Sequence, residues 1–105
     1  MAEILHVTAR DKWEQAVAEG QYRGDTLATE GFTHCCLSGQ LSGVVSRYFR
    51  GQTELVVLRI APDRLKPPLS WENPPGSDDV FPHVYGPINL DAVVEVVPLE
   101  DVLGR

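Results

Sequence analysis

Hydrophobic positions along the chain fall into short runs, some with the two-residue period of a strand and some with the period of a helix. Glu3 to Val7 carries Ile4, Leu5 and Val7 and predicts a first strand. Thr8-Ala9-Arg10-Asp11 has the form of a capping box, in which Thr8 and Asp11 satisfy loose backbone donors. Trp13, Ala16 and Val17 then form the apolar face of a first helix, and Gly20 is its natural stop. Gln21 to Leu27 is polar, contains Gly24, and reads as a loop. Gly31 to Cys36 predicts a short buried strand. Ser38 can cap a second helix, whose apolar face is Leu41, Val44, Val45, Tyr48 and Phe49, with Tyr48 assigned to the core and Gly51 ending the run.

Thr53 to Ile60 is the strongest strand signal. Its unbroken Leu55-Val56-Val57-Leu58 implies burial on both faces, and Pro62 closes it. Leu69 to Glu72 reads as another short strand, and Asn73 to Asp79, with two prolines and a glycine, as a loop. Ala92 to Val97 is a β-branched final strand ended by Pro98, and Leu99 to Leu103 is one helical turn. Two helices early and strands late predict an α+β fold, a compact mixed or split β-sheet carrying two main helices. No repeat or linker divides the chain, so residues 1–105 form one expected domain.

Composition narrows the function classes. The chain is 43% hydrophobic with a net charge of −6. That acidic balance disfavours nucleic-acid binding, because a phosphate backbone is repelled. No apolar run approaches the roughly 18 residues of a membrane span. Met1 to His6 has no basic, then apolar, signal-peptide pattern, so a cytoplasmic protein is expected. Cys35 and Cys36 are adjacent, a spacing at which normal disulfide geometry is hard to reach, so both are expected as free thiols.

The candidate chemistry lies in three histidines. His6 follows the first strand's apolar positions and turns to the face opposite Leu5 and Val7. His34 sits in a stretch of small and apolar residues, where Thr33, Ser38 or Gln40 could bond it. His83 lies in Phe81-Pro82-His83-Val84-Tyr85-Gly86-Pro87, where two prolines and a glycine suggest a stiff loop that aims side chains. Trp71-Glu72 sets a carboxylate beside an aromatic, and burial there would raise its pKa for acid–base work. Tyr22, Tyr48 and Tyr85 offer flat faces for stacking, and Arg47 and Arg50 charges for phosphate. No phosphate-loop, dinucleotide-fingerprint, serine-elbow or zinc-protease motif is present.

Taken in order, His6, the run from Trp13 to Tyr22, "EGFTHCC" with Gln40 beyond it, "WE" at Trp71-Glu72, and "FPHVYGP" resemble the small bacterial proteins of domain-of-unknown-function family 952. The resemblance spans nearly the whole chain. It implies an ADP-ribosyltransferase-like fold, with NAD or an ADP-ribose nucleotide bound in a cleft between halves of a split sheet. NAD would then be a substrate or ligand, with no tightly bound cofactor, and the reaction would be ADP-ribosyl transfer or cleavage of the nicotinamide bond. By the same resemblance His6 is the ribose contact, and His83 stands where a transferase brings its catalytic glutamate, with Glu72 as the substitute carboxylate. His34, Tyr85, Thr8 and Gln40 complete the ligand-binding set. Two other readings stand beside it: a structural or interaction module whose buried histidines are simply hydrogen-bonded, and a His-ligated metal site, for which the spacing gives no short motif.

Overall fold

The apolar run that implied two buried faces is the middle strand of an antiparallel sheet. The computed structural model describes residues 3–103. Strand β4 (Leu55–Ile60) lies between β1 (Ile4–Ala9) and β8 (Val93–Pro98). Val56, Leu58 and Ile60 point into one core with Ile4, while Leu55 and Val57 point into a second with Leu5 and Val7. Alternation along a strand covered on both sides requires this division.

Helices close the second core. Helix α3 (Leu41–Tyr48), entered through a 3₁₀ turn at Ser38–Gln40, and α4 (Leu99–Leu103) lay Leu41, Val44, Val45, Leu99 and Val102 on it. The first core is roofed by α1 (Arg10–Glu19), through Trp13 and Ala16, and by two short sheets. One pairs β2 (Gln21–Tyr22) with β7 (Ile88–Asn89). The other runs β3 (Thr33–His34), β6 (Phe81–Val84), β5 (Leu69–Glu72). All of the named strand pairs are antiparallel, and the split sheet with two main helices is the architecture the sequence implied.

Sheets are joined at Cys35 and Cys36. The Cys35 N–H donates to the Pro82 carbonyl of β6, and Cys36 exchanges two backbone bonds with Leu5 of β1, at 2.7 and 2.8 Å. Each thiol drops into a different core, both free and buried. Desolvation pushes Cys36 up to about 11 and Cys35 higher still, so neither is a nucleophile at neutral pH.

Several expectations are corrected. Strand β1 continues through Ala9, so Thr8 is buried in the sheet and no capping box forms; the first helical amide, Arg10, donates to Glu54 instead. Gln21 to Leu27 is not simply a loop, since Gln21 and Tyr22 pair with β7 and Leu27–Glu30 form the short helix α2. Val17 and Tyr48 are exposed, because neither helix is covered on that flank. "FPHVYGP" contains the central strand of its sheet, although a proline sits inside it. Pro82 is tolerated because the bond it cannot donate would face Cys35, where β3 leaves the ladder. Among the described residues no helix is long and apolar enough to cross a membrane.

Close packing makes two glycines behave oppositely. A Cβ on Gly24 would stand 2.6 Å from both Cγ2 and Oγ1 of the fully buried Thr33, whereas one on Gly43 in α3 meets nothing within 4 Å. Gly24→Ala is expected to lower unfolding stability by roughly 1–3 kcal/mol. Gly43→Ala should be neutral or raise it by up to about 1 kcal/mol. Urea denaturation of the two variants checks both signs.

Candidate functional site

Sheet β3-β6-β5 turns one face into the protein. Thr33, Cys35, Pro82 and Val84 point inward. Period-two alternation and the register His34↔His83↔Ser70 then turn Phe32, His34, Ser70, Glu72, His83 and Tyr85 to the other face. Gly31, left-handed at φ 87°, ends α2 and lets Phe32 enter the sheet on that side.

Glu72 is the hub of this face. Its Oε1 accepts from the Tyr85 hydroxyl at 2.6 Å and from His83 Nδ1–H at 2.7 Å. The Tyr85 bond first, and the His83 bond second, hold the carboxyl below its ordinary pKa, opposite to the rise that burial would have given. The same bond raises the pKa of Tyr85. His83 is 3% exposed, and its Nε2 has no partner among the described residues. Phe32 stacks on its ring at 4.1 Å between centroids and 18° between planes. Phe32 also meets His34 edge-on at 4.8 Å and Tyr85 at 5.2 Å. His34 is exposed, not buried as its neighbours suggested. Its Nε2–H donates to Glu30 at 3.2 Å, and its ring lies 5.1 Å from that of His83.

His6 has a different place. It lies behind this face, on β1, with Nδ1 2.6 Å from the His34 carbonyl and Nε2 2.7 Å from the Tyr22 hydroxyl. A carbonyl only accepts, so Nδ1 carries the proton and Nε2 accepts from Tyr22. Burial holds the ring neutral, lowering its pKa from 6.5 to about 4, and pushes Tyr22 up to about 12. Thr8 stands beside the Tyr22 hydroxyl. Both nitrogens of His6 are thus committed inside the protein. Gln40 is committed as well: its Oε1 accepts from Leu37 N–H at 2.9 Å, and its Nε2 donates to the Val80 carbonyl at 3.0 Å, tying the loop before β6 to the turn before α3.

Of the sequence-nominated residues, then, His34, Glu72, His83 and Tyr85 share one face, and His6, Thr8 and Gln40 support it from behind or beside. Phe32 and Glu30 complete it, and Tyr22, nominated as a stacking face, instead holds His6 through its hydroxyl. Phe32 was findable, since it stands two residues before His34 in a strand; the two-residue strand holding Tyr22 carries no pattern. Arg47 and Arg50 are exposed on and just beyond α3, outside this cluster. No group of three histidine, cysteine, aspartate or glutamate side chains among the described residues is arranged to hold a metal ion. One surface cavity, about 390 Å³, lies between α3, the turn after it, and α4, and another, about 190 Å³, lies beside α1 and β2; the histidine face lines neither of these.

A family model described as "Protein of unknown function (DUF952)" matches residues 7–96. Protein CC0527 from Caulobacter crescentus is similar throughout. Its X-ray structure superposes with a TM-score of 0.85 at 30% identity, covering 99% of this chain and 100% of that one. A double mutant of CC0527 gives 0.84 at 29% identity with the same coverage. Its solution NMR structure gives 0.75 at 30%, over 93% of this chain and 84% of that one. A search of curated proteins found no match.

The His6 chain predicts an acid sensitivity. A ring whose folded pKa lies below its unfolded value contributes stability in full above about 6.5, and that contribution is lost as pH falls to about 4. Thermal unfolding across this range should show a decline that is largely absent in His6→Phe. An unchanged pH profile in that variant would assign the decline to other groups.

Proposed function

The chain belongs to the DUF952 family of proteins of unknown function, and from that premise we propose that it binds NAD or a related ADP-ribose nucleotide on the face formed by Phe32, His34, Glu72, His83 and Tyr85. The observation that carries the reading is the Glu72 carboxylate, held ionised by two donors on one oxygen and set among aromatic rings. Phe32 and Tyr85 offer surfaces for a planar ring. An anionic Glu72 is suited to a sugar that becomes cationic as its glycosidic bond stretches. The resemblance to ADP-ribosyltransferase-like proteins supplies the choice of nucleotide.

In this reading the bond between nicotinamide nitrogen and ribose breaks, and its electron pair leaves with the ring, which becomes neutral nicotinamide. Water or an acceptor hydroxyl adds to the ribose carbon, and His34, oriented by Glu30, takes the proton released. His83 and Tyr85 position Glu72. His6 is a positioning residue too, acting through the His34 backbone rather than touching ribose. The cytoplasm, where NAD is abundant, is the proposed location.

A second reading keeps a specific observation of its own. Both nitrogens of His6 are bonded inside the protein, as in a non-catalytic module whose histidines only satisfy buried hydrogen bonds.

Imidazole NMR during titration with NAD separates the two. Binding at the proposed face shifts His34 and His83 together and saturably, while His6, which lies behind the face with both nitrogens bonded, moves less. Glu72→Gln should weaken that binding roughly tenfold or more, the scale of a lost charged interaction. Nicotinamide release should fall further than binding. Imidazole shifts unaffected by millimolar NAD would favour the module.

A further inference from the structure

The charges around this face are sorted. Its carboxylates, Glu30 and Glu72, pair with histidines rather than with lysine or arginine. Positive charge lies on the segment Arg64-Leu65-Lys66-Pro67-Pro68, which leads into β5. That segment is pinned against the end of β6: the Tyr85 N–H donates to the Pro68 carbonyl at 2.8 Å. A Cβ on Gly86 would stand 2.8 Å from Cβ of Pro67, so only glycine allows the approach. The Asn89 side chain fixes the other end, accepting from Lys66 N–H at 2.9 Å and donating to the Arg64 carbonyl at 2.9 Å. Arg64 and Lys66 are exposed, and neither forms a salt bridge among the described residues. The acid beside them is Asp91, whose carboxyl is held low first by a bond from the Asn89 amide and also by the charges of Lys66 and Arg64; Asp63 is adjacent in sequence and exposed.

We infer that Lys66 and Arg64 take the phosphate of the ligand whose cationic ring and ribose lie at Phe32, Tyr85 and Glu72. This deepens the reading above and rests on it. The substrate class is then a phosphorylated N-ribosyl cation, with negative and positive ends separated by a ribose. The layout supplies both halves. A planar cation gains from a carboxylate and from aromatic faces. A phosphate is repelled by Glu30 and Glu72 but attracted by two solvent-facing cations on a braced segment, with arginine able to bond it bidentately. A ligand carrying only one of these charges uses half of the surface.

The test compares two probes that differ by one phosphate, nicotinamide riboside and nicotinamide mononucleotide, by calorimetric titration at low salt. The parent protein should bind the mononucleotide more tightly. Exchanging both cations, in the double variant Arg64→Ala with Lys66→Ala, should raise the Kd for the mononucleotide roughly tenfold and leave that for the riboside within about twofold. Glu72→Gln should weaken both. Equal affinity of the parent for the two probes, or an unchanged mononucleotide Kd in the double variant while Glu72→Gln still weakens it, would overturn the phosphate assignment and leave the site reading standing. Absence of binding by either probe to the parent would remove the site reading itself, and this inference with it.

Discussion

The rest of the structure depends on how one dipeptide crosses between two sheets. Cys35 completes the ladder with β6 and Cys36 exchanges both of its backbone bonds with β1, so the chain changes sheets within two residues. The His6 side chain spans the same joint. It grips the carbonyl of His34 from β1 and is itself held by Tyr22, whose strand pairs with β7. Three strands, β1, β2 and β3, are therefore tied together by one imidazole. Bonds of this kind contribute modestly on average, but a buried ring left with an unsatisfied nitrogen costs more than the bond gained, and this makes the arrangement specific.

That joint sets the geometry of the polar face. Fixing the His34 backbone fixes its register with His83, and hence the placing of Phe32 against His83 and Tyr85. Glu72 then receives two donors, His83 of β6 and Tyr85 just past its end, two positions apart and so on the same side. The carboxylate is kept ionised by its partners rather than neutralised by burial. It remains partly exposed, with a side-chain accessibility of 38%, where it can act on a ligand.

Much of this was legible in the sequence, and the limits have physical causes. The buried Leu55–Leu58 run, β5 and α4 follow from local pattern alone. So does the turning of His6 away from Leu5. Thr8 and Asp11 had the letters of a capping box, but pairing between β1 and β4 extends the strand past Thr8, and tertiary ladder bonds override the local cap. The prolines of "FPHVYGP" suggested a loop because a missing donor normally excludes a central strand. Only the three-dimensional ladder shows that the missing donor falls where β3 ends. For Glu72 the sign of the pKa shift was out of reach, since it depends on two partners 11 and 13 positions away. The side chains of the site were mostly identifiable by residue type, while their division into a working face and a supporting layer was not.

A neutral His6, protonated on Nδ1, locks the two sheets together and thereby holds the polar face in register. Its tautomer and titration can be read directly from the ring nitrogens by ¹⁵N-correlated NMR between pH 4 and 8. The expected result is an Nδ1–H imidazole that shows no inflection near 6.5 and begins to protonate only as pH approaches about 4. An Nε2–H tautomer, or ordinary titration near 6.5, would contradict it.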